Sequence, residues 1–139
     1  MSAQDNSKDS SEFHFGYVTI IGRPNVGKST LLNRVIGQKL SITSRKPQTT
    51  QRRLLGIKTD EQSQVVYIDT PGMQSKYKDS LNRYMRREIT NALLHIDVLV
   101  FMVESLKWTD ADEEILETIE TTKNPVLILI NKIDRKSAN

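Results

Sequence analysis

Residues 15–37 read FGYVTIIGRPNVGKSTLLNRVIG. The segment passes from a β-branched and aromatic run, Phe15 to Ile21, into a glycine-bounded loop. From Lys28 to Ile36 it then places Leu31, Leu32, Val35 and Ile36 on one helical face. A buried strand, a loop and a helix ended by Gly37 are predicted in that order. Gly22-Arg23-Pro24-Asn25-Val26-Gly27-Lys28-Ser29 matches G-x-x-x-x-G-K-[ST] without deviation. In that setting the backbone N–H groups can turn inward around a phosphate, and the helix N-terminus adds positive potential. Lys28 is expected to reach the β- and γ-phosphates and Ser29 to ligate Mg²⁺, and the whole run Gly22, Arg23, Pro24, Asn25, Val26, Gly27, Lys28, Ser29 and Thr30 is expected to bind the nucleotide.

Downstream, the pattern keeps alternating. Residues 38–51 form a long polar loop, of the kind that is usually functional or mobile in a small domain. Arg52–Thr59 and Gln64–Asp69 read as an antiparallel hairpin. Lys78–Leu94 reads as a helix, with Leu81, Met85, Ile89 and Leu93 on its inner face. Asp97–Val103 is apolar on both faces, like a central strand. Thr109 or Asp110 opens a helix that turns Ile115, Leu116 and Ile119 inward, and Pro125–Ile130 reads as a further buried strand. Strands alternating with helices predict an α/β three-layer P-loop NTPase fold, mostly parallel with one antiparallel edge strand. Ligands in such sheets bind at the carboxyl ends of the strands.

Two further motifs fall at those ends. Asp69-Thr70-Pro71-Gly72 follows a strand: Asp69 can hold Mg²⁺, often through water, and Gly72 can offer its N–H to a γ-phosphate. Asn131-Lys132-Ile133-Asp134 follows the last apolar run. A carboxylate there can accept from both N1–H and the exocyclic amine of guanine. Adenine lacks that donor pair, so Asp134 selects guanine, and such sites discriminate by up to ~10⁴–10⁵. Asn131 can tie this loop to the phosphate loop, and Lys132 can lay its stem over the base. A kinase or ATPase using ATP is disfavoured on the same ground.

Bulk properties limit the alternatives. With 139 residues the chain is one domain at most. It has no cysteine, which rules out disulfides, thiolate metal sites and thiol nucleophiles. Its two histidines are far apart and read as structural or surface residues, and its net charge of +3 permits nucleic-acid or acidic-lipid contact without demanding it. The longest apolar runs, Val98–Val103 and Val126–Ile130, fall far short of the ~20 residues of a membrane span. With no apolar stretch near Met1, a soluble, cytosolic protein is expected. Residues 1–12 are polar and read as a disordered tail before a nucleotide-binding domain over 13–139.

The three motifs together are those of the translation-factor-related P-loop GTPases. Gly22–Asn33, Gly37–Lys46, Gln48–Thr50, Asp69–Gly72 and Val103–Thr109 resemble the Era family of bacterial GTPases more closely, the segment from Gly37 to Thr50 most specifically. The tRNA-modification and tandem-domain ribosome-assembly GTPases are the nearest relatives. The resemblance implies GTP or GDP with Mg²⁺ as ligands and slow hydrolysis. It makes Thr50 the switch threonine over Mg²⁺, with Thr49 as the other candidate, and gives Lys28, Thr50, Gly72 and Asn25 the catalytic roles. Met73 stands where Ras-like proteins carry a water-orienting glutamine. In related GTPases an Asn at the place of Asn25 helps bind K⁺, although bracing the loop is an equal reading. The family also implies action on ribosomal RNA of the small subunit through a KH-type domain that this chain lacks, a monomer, and a possible peripheral contact with the inner membrane. The family's last base-contacting loop is missing too, so a fragment of the GTPase domain is expected, and an isolated nucleotide binder without turnover is the rival function. Arg83, Arg86 and Arg87, with Lys76 and Lys78, could face RNA or form a solvated helix face.

Overall fold

The computed structural model describes residues 12–37, 53–69 and 81–135. The elements run β1 His14–Ile21, α1 Lys28–Ile36, β2 Arg53–Thr59, β3 Ser63–Asp69, α2 Leu81–Leu93, β4 Val98–Glu104, α3 Asp110–Ile119 and β5 Val126–Asn131. They build one five-stranded sheet in the order β2-β3-β1-β4-β5. β1 lies parallel to both β3 and β4, and β4 is parallel to β5. β2 is antiparallel to β3 and forms the expected antiparallel edge. This is the Ras-like G-domain architecture anticipated from the alternation of elements.

The period of two along β4 divides the core. Leu99, Phe101 and Val103 face a cluster with Ile89 of α2 and Ile115 and Ile119 of α3. Val100 and Met102 face the opposite cluster, with Val26 and Leu32 beside α1. All of β4 after Val98 is buried, which is why its sequence is apolar on both faces. α1 ends as anticipated: Gly37 takes φ 73°, and its N–H donates to the Asn33 carbonyl at 3.1 Å. In the β2–β3 turn, the Asp60 carboxylate accepts from the N–H groups of Gln62 and Ser63 at 2.9 and 2.7 Å. These bonds, that from Gln62 foremost, hold its pKa below the ordinary value.

One expectation fails. The strand anticipated over Pro125–Ile130 exists but is not buried: Leu127, Ile128 and Ile130 are 60%, 63% and 58% exposed. An apolar run signals a strand but does not reveal its place in the sheet. Among the described residues β5 is the last strand of the sheet and pairs with β4 alone. Of the anticipated inner face of α2, Ile89 is buried and Leu93 packs against the same cluster. The side chains of Leu81 and Met85 lie outside the described residues, as do residues 78–80. The anticipated tail, except for Glu12, also lies outside them.

Candidate functional site

The phosphate loop crosses the carboxyl end of β1 and rests on β4. Gly22 is buried, and a Cβ there would stand 2.5 Å from the Met102 carbonyl oxygen. Only glycine lets the chain pass so close. Val26 is fully buried and anchors the loop from below. Asn25 and Gly27 take left-handed φ values of 64° and 111°, which turn the backbone into the first turn of α1. Lys28 Nζ donates to the carbonyls of Gly22 and Arg23 at 2.6 and 2.9 Å, so its ammonium lies across the mouth of the loop. Pro24, Asn25, Ser29 and Thr30 are exposed on this rim.

The Asn131–Asp134 loop is bound directly to the phosphate loop. Asn131 Nδ2 donates to the Val26 carbonyl at 2.8 Å. Lys132 Nζ donates to the Asn25 carbonyl at 2.8 Å. The tie anticipated for Asn131 is therefore present, and Lys132 adds a second. Lys132 itself takes φ 58°, the Ser105 N–H donates to the Asn131 carbonyl at 2.8 Å, and the Arg135 N–H closes on the Lys132 carbonyl at 3.1 Å. Asp134 stands exposed at the tip of this turn.

Two charged residues not singled out from the sequence prove central. Glu104, at the end of β4, is 7% exposed. It accepts from Arg23 Nη2 at 2.7 Å, Lys132 Nζ at 3.1 Å and Arg135 Nη1 at 2.8 Å. The hydrogen bond from Lys132 foremost, then that from Arg23, holds its carboxyl down to about 2 against the desolvation that opposes it. Arg23 Nε also pairs with Asp112 at 3.2 Å. The same Asp112 oxygen accepts from the Thr109 N–H at 2.9 Å and its hydroxyl at 2.8 Å. The Arg23 side chain is thus committed to β4 and α3. A signal was available: Glu104 is the one acid in the otherwise apolar run VLVFMVE.

Asp69 is the last residue of β3, and β3 pairs with β1 through Thr19–Ile68. Its backbone therefore reaches the same sheet end as the phosphate loop. Its side chain, together with Thr49, Thr50, Gly72 and Met73, lies outside the described residues. No group of three or more His, Cys, Asp or Glu able to hold a metal occurs among the described residues. Ser29, exposed in the first turn of α1 beside the phosphate loop, offers a hydroxyl oxygen of the hard kind that Mg²⁺ takes. Away from the site, Trp108 packs edge-on against Phe101 at 6.2 Å and donates to Glu113 at 2.6 Å. Arg86 and Arg87 are exposed, and Arg86 pairs with Glu117 of α3 at 3.0 Å.

A phosphate loop bound to a guanine-type loop across a parallel sheet defines a P-loop GTPase domain, and the chain belongs to the family described as 50S ribosome-binding GTPase, whose profile matches residues 17–132. Within that family its likeness is to Era. It is 54% identical over 127 residues to the GTPase Era of Marinobacter nauticus, covering 91% of this chain and 42% of that protein. Among solved structures it is similar to Era in complex with MgGDPNP and nucleotides 1506–1542 of 16S ribosomal RNA, with TM-score 0.69 and 41% identity over 91% of this chain and 43% of that one. It is also similar to an Aquifex aeolicus Era variant bound to GDP.AlF4⁻, with TM-score 0.65 and 43% identity over 87% of this chain and 42% of that one. The chain thus spans about two-fifths of the length of these relatives. No helix among the described residues is long and apolar enough to cross a membrane.

Proposed function

We propose that this chain is the nucleotide-binding part of an Era-like GTPase, spanning residues 13–139 after a short polar tail. The observation that carries this reading is the double tie of Asn131 to Val26 and Lys132 to Asn25, which holds a base-reading loop at a fixed distance from a phosphate loop. Within Gly22 to Thr30 the backbone N–H groups, which Pro24 alone lacks, and the Lys28 ammonium take the phosphates. Asp134 accepts from the guanine edge while the Lys132 stem covers the ring. Ser29, Asp69 and Thr50 hold Mg²⁺, which neutralises charge on the β- and γ-phosphates when bound. Gly72 donates to the γ-phosphate. Asn25, exposed on the rim of the phosphate loop, is the residue that would help hold K⁺, whose charge would substitute for an arginine finger.

Hydrolysis of GTP to GDP and phosphate is slow, because Met73 cannot orient water as a glutamine does. The likeness to a protein crystallised with 16S ribosomal RNA supports action on small-subunit RNA, through a KH-type domain outside this sequence. The corresponding setting is a cytoplasmic monomer with peripheral contact at the inner membrane. The test is a titration with fluorescent GDP in Mg²⁺, competed by GTP and by ATP, followed by phosphate release in K⁺ and in Na⁺. Displacement by GTP and not by ATP is expected, with faster release in K⁺. Equal displacement by ATP would end the guanine reading. Binding without phosphate release in either salt would leave a nucleotide switch without turnover, and equal rates in the two salts would remove K⁺ alone.

A further inference from the structure

Glu104 gathers cations from both nucleotide loops. Arg23 is the second residue of the phosphate loop, Lys132 belongs to the base loop, and Arg135 directly follows Asp134. All three donate to the one carboxylate, Arg23 and Lys132 to Oε2 and Arg135 to Oε1. The strand register explains why they can: Glu104 lies opposite Asn131 in the β4–β5 ladder, where the base loop begins. From there the carboxylate grips Lys132 on one side of Ile133–Asp134 and Arg135 on the other. Resting on the proposed guanine-binding role of this loop, we propose that Glu104 is the positioning residue that aims Asp134 at the base and fixes the base loop in register with the phosphate loop.

Burial gives the arrangement its force. Exposed ion pairs contribute little. Here the Glu104 side chain is 4% exposed, Arg23 10% and Lys132 22%, so these contacts are shielded from water. Arg135, at 60%, is the weakest of the three. Arg23 is further fixed by Asp112, which is wholly buried and set by the start of α3. Glu104 is therefore held at the buried end of β4 and joined, through the Arg23 guanidinium, to the start of α3. A glutamine in its place would keep the shape. It would offer one acceptor where two oxygens now serve three donors, and would turn an NH₂ toward a cation.

The experiment compares GDP with inosine diphosphate, which lacks the exocyclic amine, on the wild-type chain and on Glu104→Gln, Glu104→Asp and Arg135→Ala. A residue that merely supports the fold lowers both affinities alike. One that aims Asp134 changes their ratio. The GDP preference is expected to fall about tenfold in Glu104→Gln, recover in part in Glu104→Asp, and fall about threefold in Arg135→Ala. An unchanged ratio in a folded Glu104→Gln, judged by circular dichroism, overturns the proposal even if both affinities drop. If that variant does not fold, Arg135→Ala decides by the same ratio, because its guanidinium is largely exposed. A wild-type chain that binds no GDP sinks the underlying guanine reading, a result distinct from an unchanged ratio.

Discussion

Gly27 shows how much can rest on one missing side chain. Its φ of 111° is strained for any L-residue, and a Cβ would run into the Asn131 amide that holds the two loops together. Gly27→Ala should therefore lower stability by ~1–3 kcal/mol and weaken GDP binding beyond that, as the tie breaks. A thermal melt with and without GDP checks both. Glu104 gives a pH signature. Its folded value near 2 lies below the ordinary 4.5, so its contribution is fully present above pH 4.5 and is lost as pH falls through 2. The gap in urea midpoint between wild type and Glu104→Gln should be widest near neutrality and close between pH 4.5 and 2. At this scale the sequence was legible where a motif fixes chemistry and partner together. The Asn131 tie could be anticipated because the Asn131–Asp134 motif follows a phosphate loop in the order that a shared nucleotide requires. Arg23 was assigned to nucleotide by its place in the motif, but its side chain turns to Glu104 and Asp112. Partners 81 and 89 residues away are set by folding, and no local pattern announces them.

Among the elements, β4 and β5 look alike in sequence and differ in situation. Phe101 is 1% exposed between sheet and helices, whereas Ile128 is 63% exposed on the edge strand. Phe101→Ala should cost ~3–5 kcal/mol, and Ile128→Thr within about 0.5 kcal/mol of nothing. Chemical denaturation of the two variants side by side is the check. Helix ends were easier to foresee. Gly37 and Thr109 stand where α1 ends and α3 begins because φ above zero and short polar side chains are local demands that the chain states for itself. β2 carries a register shift between Leu54 and Gly56 that periodicity does not reveal. A Cβ at Gly56 would press on Ile36 of α1 at 2.5 Å, so this bulge seats the helix against the sheet. Gly56→Ala should destabilise by ~1–3 kcal/mol, read by the same denaturation.

Across the whole molecule, the order β2-β3-β1-β4-β5 brings the ends of β1, β3 and β5 to one rim, and the three nucleotide motifs follow those strands. That convergence was legible because parallel strands joined by helices all point the same way. The neighbour relations within the rim were not. Motif spacing says that two loops share a ligand, but it leaves open which charges bind them together in the meantime. Met102 illustrates the outcome. Its side chain belongs to the core beside α1, its carbonyl lies under Gly22, and its methyl would sit 3.4 Å from a Cβ at Gly27. No layer of packing separates hydrophobic interior from ligand loop at this point. A genetic screen scored solely on nucleotide retention will therefore recover heat-sensitive alleles at Met102 alongside alleles in the loop itself, and mapping by phenotype will not tell the two apart.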